Sequence, residues 1–376
     1  MWRLKFVSTA IMFVLVSCGS SIPQGGSDQS KEEIQVLGSV QSARSLAKKI
    51  TILKSDGGRV DWSPDGKTIY MDRKDSNGYF DIYQINPDGS NEICLTCDTK
   101  GIVPGGHNGQ PSMHPDGNYL LFQAEKKEHV GNVGRDKAAN PGLGRYHDIW
   151  LMNSTTREFF QLTNLPDAHN TGILHPHFSH DGKKLTWSQM YDGKKNYWKL
   201  KVADFSVDPS GKPVVSSIQT YEPGGKGFYE NHGLSPDGRK IIFTGNFEMT
   251  ANPLSFFKQK IYTYDFATKK MTALAKERYN ELAQYSPVGD KIIWFTSVDN
   301  KNQGTDYWSM NYDGSGKKRL TDFNNPKNST FKGKVITAAD NSFSPDGKQL
   351  VAYLQTNIFT QEGMTVIIDL KDDWYK

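Results

Sequence analysis

The sequence lacks three features that would narrow its function at once: a long apolar run, a sustained helical period and an arginine-rich stripe. The apolar stretch at residues 6–16 is too short for a transmembrane helix, which needs ~20 residues. Because no apolar period of 3.6 residues persists, we expect few helices. The basic residues are scattered, and the formal net charge of +4 falls to +2 once residues 1–17, with Arg3 and Lys5, are removed. We therefore expect no nucleic-acid partner.

The first 17 residues have the pattern of an export signal, with two basic residues before the apolar stretch. The segment "LVSC" at residues 15–18 resembles a bacterial lipobox, which implies that Cys18 becomes the first mature residue and carries acyl chains. An ordinary secretory signal with a chance cysteine is the alternative. Gly19 follows where inner-membrane lipoproteins carry aspartate, so the resemblance implies the outer membrane of a Gram-negative bacterium. Several acyl chains anchor a protein stably.

Residues 18–47 begin with the lipidated cysteine and continue as a Gly/Ser-rich polar segment, which predicts a flexible tether. The two remaining cysteines, Cys94 and Cys97, form a C-x-x-C pair. Such a pair is typical of a redox motif, of half a zinc site or of a local disulfide. No second pair and no following helical pattern exist, and an exported chain meets oxidising conditions. A local disulfide is favoured, with two buried thiols as the alternative.

A repeat of about fifty residues is the dominant feature of residues 48–376. Each unit contains an apolar residue, a tight turn such as "SPDG" and a strand of β-branched and aromatic residues. The turn glycines are spaced by 51, 65, 56, 51 and 58 residues, at Gly66, Gly117, Gly182, Gly238, Gly289 and Gly347. Asp and Pro favour this turn, and glycine takes its left-handed position.

A second hairpin pattern, such as "DIYQINPDGSNEICLT" from Asp81, follows each turn phrase. Four strands per unit predict an all-β fold, a six-bladed propeller. The sixth unit has only three strands, whereas "KKITILKSDGG" at residues 48–58 precedes the first unit. We predict that this N-terminal strand completes the last blade, since an open ring would leave an unpaired edge.

Together the two phrases resemble the TolB-like, WD-repeat-like β-propeller family over nearly all of the mature chain. The resemblance implies a scaffold and does not by itself imply an activity. TolB has an α/β domain before its propeller, whereas only a tether and one strand precede the propeller here. Prolyl-peptidase relatives carry a hydrolase domain, but this sequence has no G-x-S-x-G motif. Neither the TolB partner role nor peptidase activity is therefore expected.

Aligning the six units predicts a polar ring around the central channel. Residues one and three before each apolar anchor share a face on a regular strand, because side chains alternate. The candidate binding residues at the channel mouth, including the neighbouring His232, are Arg59, Asp61, Gln110, His175, His177, Asn231, His232, Gln284 and Asp340.

Two functions remain open for this ring. In the first, the protein is a non-catalytic, monomeric scaffold that binds an envelope protein, peptidoglycan or another glycan, without a cofactor. In the second, His175, His177 and His232 hold a divalent metal (Mn, Zn or Ca), with Asp61, Gln110 or Glu230 close by. The family that this sequence resembles includes oligogalacturonate lyases, which are TolB-like propellers with a histidine-and-glutamine manganese site. The alternative function is therefore a metal-dependent polysaccharide lyase or hydrolase.

Overall fold

The computed structural model describes residues 45–376 except 100–102, 104, 131–136, 167–169, 251, 301–302, 326–330, 332–333 and 359. The predicted export signal, Cys18 and almost all of the predicted tether lie outside the described residues. In the described part, helix is limited to two 3₁₀ segments, Lys137–Ala139 and Pro253–Lys258. None of the helices described is long and apolar enough to cross a membrane.

Six four-stranded antiparallel sheets form the blades of a propeller, which confirms the predicted fold class. Counted outward from the channel, blades 1 to 3 consist of β2 (Val60–Trp62), β3 (Ile69–Lys74), β4 (Phe80–Ile85) and β5 (Ile93–Cys94); β6 (Asn108–Met113), β7 (Tyr119–Glu125), β8 (His147–Asn153) and β9 (Phe159–Gln161); and β10 (Gly172–Phe178), β11 (Lys184–Asp192), β12 (Tyr197–Val207) and β13 (Pro213–Tyr221). Blades 4 to 6 consist of β14 (Phe228–Leu234), β15 (Lys240–Asn246), β16 (Lys260–Asp265) and β17 (Lys270–Ala275); β18 (Asn280–Tyr285), β19 (Lys291–Thr296), β20 (Asp306–Asn311) and β21 (Lys318–Arg319); and β22 (Thr337–Phe343), β23 (Gln349–Asn357), β24 (Glu362–Leu370) and β1 (Ala47–Lys54).

The N-terminal strand closes the ring as the sequence predicts. Strand β1 is the outer strand of blade 6, where Ile50 lies opposite Ile368 of β24. The strand begins at Ala47, one residue before the predicted boundary. The amide nitrogen of Ala47 also donates to the carbonyl of Leu320 at 3.0 Å, so the same strand contacts blade 5.

The repeated turn forms for the reason its residues suggest. In blade 1 the Asp65 carboxylate accepts hydrogen bonds from the Ser63 hydroxyl at 2.7 Å and from the Lys67 amide at 3.0 Å. Gly66 has a φ of 74°, the left-handed value that glycine adopts without strain. The turn therefore fixes the hairpin between the first two strands of the blade.

A β-bulge, which no pattern in the sequence predicts, interrupts the innermost strand of blades 2 to 6. The register shifts fall between Gly109/Ser112, Leu174/His177, Asn231/Leu234, Glu281/Gln284 and Ala338/Asn341. Gln110, His175 and Leu282 consequently have positive φ values of 53°, 49° and 52°. A bulge redirects side chains, so the simple alternation used to assign the polar ring fails at these positions.

The connections divide into two kinds because adjacent strands run in opposite directions. Tight turns lie on one face, where they join the first to the second strand and the third to the fourth. The other face, which we call the loop face, carries the connections from the second to the third strand and from one blade to the next. The long segments 126–146, 247–259 and 320–336 all belong to the loop face.

Candidate functional site

The predicted polar ring surrounds a small cavity in the channel. Its lining includes the predicted residues Arg59, Gln110, His175, His177, Gln284 and Asp340, and also Val60, Pro111, Pro176, Leu282 and Asn341. Asp61, Asn231 and His232 do not line it. The cavity volume is about 20 Å³, enough for about one water molecule and far too small for a sugar or a peptide.

Several members of the ring join neighbouring blades through hydrogen bonds. The Asp61 carboxylate accepts from the Met113 amide of blade 2 at 2.6 Å and from the Ser342 hydroxyl of blade 6 at 2.7 Å. Burial raises the pKa of Asp61 to about 6, although these hydrogen bonds act in the opposite direction. The side-chain amide of Gln284 donates to the carbonyl of Asn341 at 2.5 Å. These side chains stabilise the ring of blades and have little capacity left for a ligand.

Asn231 has the same structural role between blades 3 and 4. Its side-chain amide donates to the carbonyl of His175 at 2.7 Å and to the Thr186 hydroxyl at 3.0 Å, and its backbone amide donates to Ser188. The side chain is fully buried. Asn231 therefore serves to join the two blades, although its neighbour in the sequence, His232, is a predicted metal ligand.

Arg59 belongs to a buried ion pair at the loop-face side of the cavity. Its guanidinium donates to Asp72 Oδ1 at 3.2 Å and to Gln361 Oε1 at 3.1 Å, and it lies over the ring of Phe80. The Asp72 carboxylate also accepts from the backbone amide of Gln110 at 2.9 Å. Burial raises the pKa of Asp72 while Arg59 counteracts the shift. This pair fixes the position of the Gln110 backbone.

The three predicted metal ligands are neighbours but do not converge. The ring of His175 lies 6.2 Å from that of His177 and 5.5 Å from that of His232, between centroids. His232 Nε2 lies 2.7 Å from the Thr244 hydroxyl, whereas the ring of His177 has no hydrogen bond to any described residue. In the described part of the chain, no group of three His, Cys, Asp or Glu donor atoms within 4.8 Å of one another occurs in the channel.

His175 instead contacts an amide and a carboxyl group. Its Nε2 lies 3.0 Å from the amide nitrogen of Gln110 and 2.8 Å from Glu230 Oε1, and its Nδ1 lies 3.9 Å from Asp340. Gln110 Oε1 also accepts the backbone amide of His175 at 2.6 Å. Burial lowers the pKa of His175 and that of His177, the latter to about 3, so burial favours the neutral form of both rings.

Two glutamates outside the predicted ring also contact this cluster: Glu230, which we expected only close to the predicted metal ligands, and Glu281, which we did not expect. Burial raises the pKa of Glu230 to about 8, with Asp340 adding to the shift and a hydrogen bond from Glu281 opposing it. Burial and the adjacent Glu230 raise the pKa of Glu281 well above its ordinary value, and the Tyr279 hydroxyl donates to it. Both glutamates stand four residues before their anchors, Leu234 and Tyr285, which is the sequence signal that identifies them.

Cys94 and Cys97 lie away from the channel, at the outer edge of blade 1. A disulfide joins them, and their Cα atoms are 5.8 Å apart. Strand β5 ends at Cys94, which allows the two side chains to meet. Asp81 completes a group of three donor side chains within 4.8 Å of one another.

The blades and their closure define the chain as a six-bladed β-propeller whose structural neighbours are TolB and TolB-like proteins. No protein-family model matches the chain, and no curated protein matches it. The putative TolB from Agrobacterium tumefaciens is 19% identical, with a TM-score of 0.51, and the match covers 83% of this chain and 90% of that one.

Two further solved structures have a similar fold. An oligogalacturonate lyase in complex with manganese is 13% identical, with a TM-score of 0.52, and the match covers 92% of this chain and 98% of the lyase. TolB from Acinetobacter baumannii is 14% identical with a TM-score of 0.49; the match covers 84% of this chain and spans 63% of that TolB chain. At these identities the similarity establishes the fold alone.

Proposed function

We propose that this protein is a lipid-anchored binding scaffold of the cell envelope, which binds a protein or glycan partner through its loop face. The supporting observation is the distribution of exposed large apolar side chains. Five of them lie on the loop face, and each has between 42% and 57% of its surface exposed: Leu143, Leu254, Phe257, Val335 and Ile358. The other four exposed large apolar side chains of the described residues lie on the third and fourth strands of blades 1 and 3, so the loop face carries the majority, as is typical of an interaction surface.

The channel favours the same proposal for a different reason. Its polar residues mostly bind one another across the blades, and the cavity of about 20 Å³ cannot admit a polymer. Loops positioned by a rigid scaffold commonly carry binding residues. The cluster around His175 then serves chiefly to fix the inner strands, and partner binding takes place outside the channel.

Site-specific photo-crosslinking in the native envelope tests the scaffold proposal. A photoreactive residue at Leu254, 57% exposed on the loop face, should give a discrete crosslinked species. The matched control is Ile218, 54% exposed on the outer strand β13 of blade 3, which should give none. Equal crosslinking at the two positions, or none at either, would contradict a binding role for the loop face.

A metal-dependent polysaccharide lyase is the second candidate, and one observation favours it. Glu230 Oε1 lies 2.8 Å and the side-chain amide nitrogen of Gln110 lies 3.0 Å from His175 Nε2. A carboxylate oxygen suits manganese and an imidazole nitrogen is a common metal ligand, whereas the three predicted histidines do not fit a common ion. His175 and Glu230 would therefore hold the metal, which would supply Lewis-acid polarisation of a substrate carboxyl group.

Metal analysis of the purified protein, with an assay for unsaturated products from polygalacturonate, separates the two candidates. The scaffold proposal predicts metal well below one equivalent and no product in the presence of manganese. The matched variants are His175→Ala, within the cluster, and His180→Ala, on the exposed turn. Stoichiometric metal and product formation that are lost only in His175→Ala would establish the lyase and refute the scaffold proposal.

A further inference from the structure

The described residues contain one group of three possible metal ligands, and it lies away from the channel, on blade 1. Asp81, Cys94 and Cys97 each offer one donor atom, and these atoms lie within 4.8 Å of one another. Neither candidate function uses this group. We propose that Asp81, Cys94 and Cys97 bind zinc when the Cys94–Cys97 disulfide is reduced.

The cysteine loop keeps its position through contacts that do not depend on the disulfide. The backbone amide of Leu95 donates to the carbonyl of Ile82 at 2.7 Å, and the amide of Ile82 donates to the Thr96 hydroxyl at 3.0 Å. Leu95 and Thr96 are both buried. Reduction therefore leaves the two thiols on the same short loop, next to strand β4.

Asp81 is held against the same loop. The Thr96 hydroxyl donates to Asp81 Oδ1 at 2.6 Å, and the Asn108 side chain donates to the same oxygen at 3.3 Å. The second carboxylate oxygen, Oδ2, has no hydrogen bond to a described residue and remains for a metal. Hydrogen-bonded neighbours of this kind fix the orientation of a metal ligand.

The chemistry of the three donors selects the metal. Two thiolates and one carboxylate carry three negative charges, and thiolates prefer soft or borderline cations, zinc among them. Zinc takes thiolate sulfur at ~2.3 Å and carboxylate oxygen at ~2.1 Å, with water able to occupy the fourth position. The backbone amide of Cys97 lies 3.1 Å from Cys94 Sγ, where it stabilises a thiolate. Cys97 is exposed, so both the reductant and the metal have access to the site.

The redox step is balanced when a dithiol is the reductant. The Cys94–Cys97 bond takes up two electrons and two protons, and the dithiol is oxidised to a disulfide. Zinc then binds the two sulfurs as thiolates, and their two protons pass to the solvent. The disulfide form has no thiolate to offer and does not bind the metal.

Zinc binding by the reduced full-length protein tests the site. The protein is reduced with a phosphine, freed of reductant without oxygen and dialysed against zinc chloride. We expect about one equivalent of zinc bound by the reduced protein and less than about a tenth by the oxidised protein. With cadmium as a second probe, the reduced protein should show sulfur-to-cadmium charge-transfer absorption, which reports the metal–thiolate bond directly.

Two variants and one chemical control identify the ligands. Asp81→Asn should weaken zinc binding by about 10-fold or more, because loss of even an outer hydrogen-bonding partner commonly costs that much. The matched variant Asp98→Asn, an exposed carboxylate beside Cys97, should bind as the wild type does. Reduced protein with alkylated cysteines should bind no zinc through this site, and it requires no variant to fold.

Several results would overturn the proposal. Failure of the reduced wild-type protein to bind zinc would refute it outright. Equal binding by the alkylated and the free-thiol protein would assign the metal to another site, such as the channel histidines. Equal affinity of Asp81→Asn and the wild type would remove the carboxylate from the site. None of these outcomes affects the loop-face proposal, which crosslinking tests separately.

Discussion

Deletion of Ala47–Lys54 is expected to leave the propeller unable to fold into a stable monomer. Strand β1 supplies Ala47, Ile50 and Leu53 to the packed interior of the ring, and Ile50 is fully buried. Removal of a buried isoleucine or leucine side chain commonly costs about 2–5 kcal/mol, so these residues account for much of the 5–15 kcal/mol by which most domains are stable. The deletion also exposes the edge of β24, whose unpaired backbone groups promote aggregation.

A point-variant pair gives the same prediction without removing any backbone. Ile50→Ala should lower the free energy of unfolding by about 2–5 kcal/mol in urea titrations. Lys49→Ala, one residue earlier on the same strand and exposed, should change it by less than about 0.5 kcal/mol.

For the deletion, the measurements are size-exclusion chromatography and the melting temperature. A monomeric deletion protein that melts at the wild-type temperature would show that closure by β1 is dispensable.

The fold was predictable from the sequence because its repeating unit is marked by local turn chemistry. Ser63, Asp65 and Gly66 determine a hairpin through contacts within six residues, and close variants of the same phrase, always with the glycine, recur in every blade. The closing strand was predictable from a count of strands, since one blade lacked a fourth member. Neither inference required knowledge of long-range contacts.

The candidate site was predictable only in part, and the β-bulges explain the difference. Strict alternation assigned the ring to positions one and three before each anchor, and His175 and Gln110 line the cavity even though the bulges break that alternation where they lie. A bulge adds one residue and depends on how the strand pairs with the adjacent strand, so no local sequence pattern predicts it. Glu281 at position four was therefore missed, and Glu230 was expected only as a neighbour of the predicted metal ligands.

Hydrogen-bond partners were the other property that the sequence could not supply. Asp61 and Asn231 have residue types that suit a binding site, yet their bonds to Met113, Ser342 and His175 hold blades together. Buried polar groups need partners wherever they lie, and a channel wall provides these from adjacent blades. A polar ring at the axis of a propeller is therefore weak support for a catalytic function, whereas the exposed apolar loops have no such structural role.

Replacement of Glu230 by glutamine should stabilise the protein, and the effect should grow with pH. Burial raises the pKa of Glu230 from 4.5 to about 8, so between these values the folded protein keeps a proton that the unfolded chain releases. The wild type therefore loses stability as the pH rises through this window, by an amount on the order of 4 kcal/mol at pH 8. Glutamine has a similar shape but cannot ionise, so the Glu230→Gln protein does not lose this stability as the pH rises.

Urea titrations of the two proteins between pH 5 and pH 8.5 measure the effect as a difference in free energy of unfolding. Other titratable groups are common to both proteins, so their contributions largely cancel in the difference. The advantage of Glu230→Gln should be smallest at pH 5 and largest above pH 8. Glu158→Gln, an exposed glutamate on blade 2, serves as the matched control and should follow the wild type throughout. Parallel curves for the wild type and Glu230→Gln would mean that Glu230 is ionised in the folded protein, because only a proton retained on folding makes the difference depend on pH.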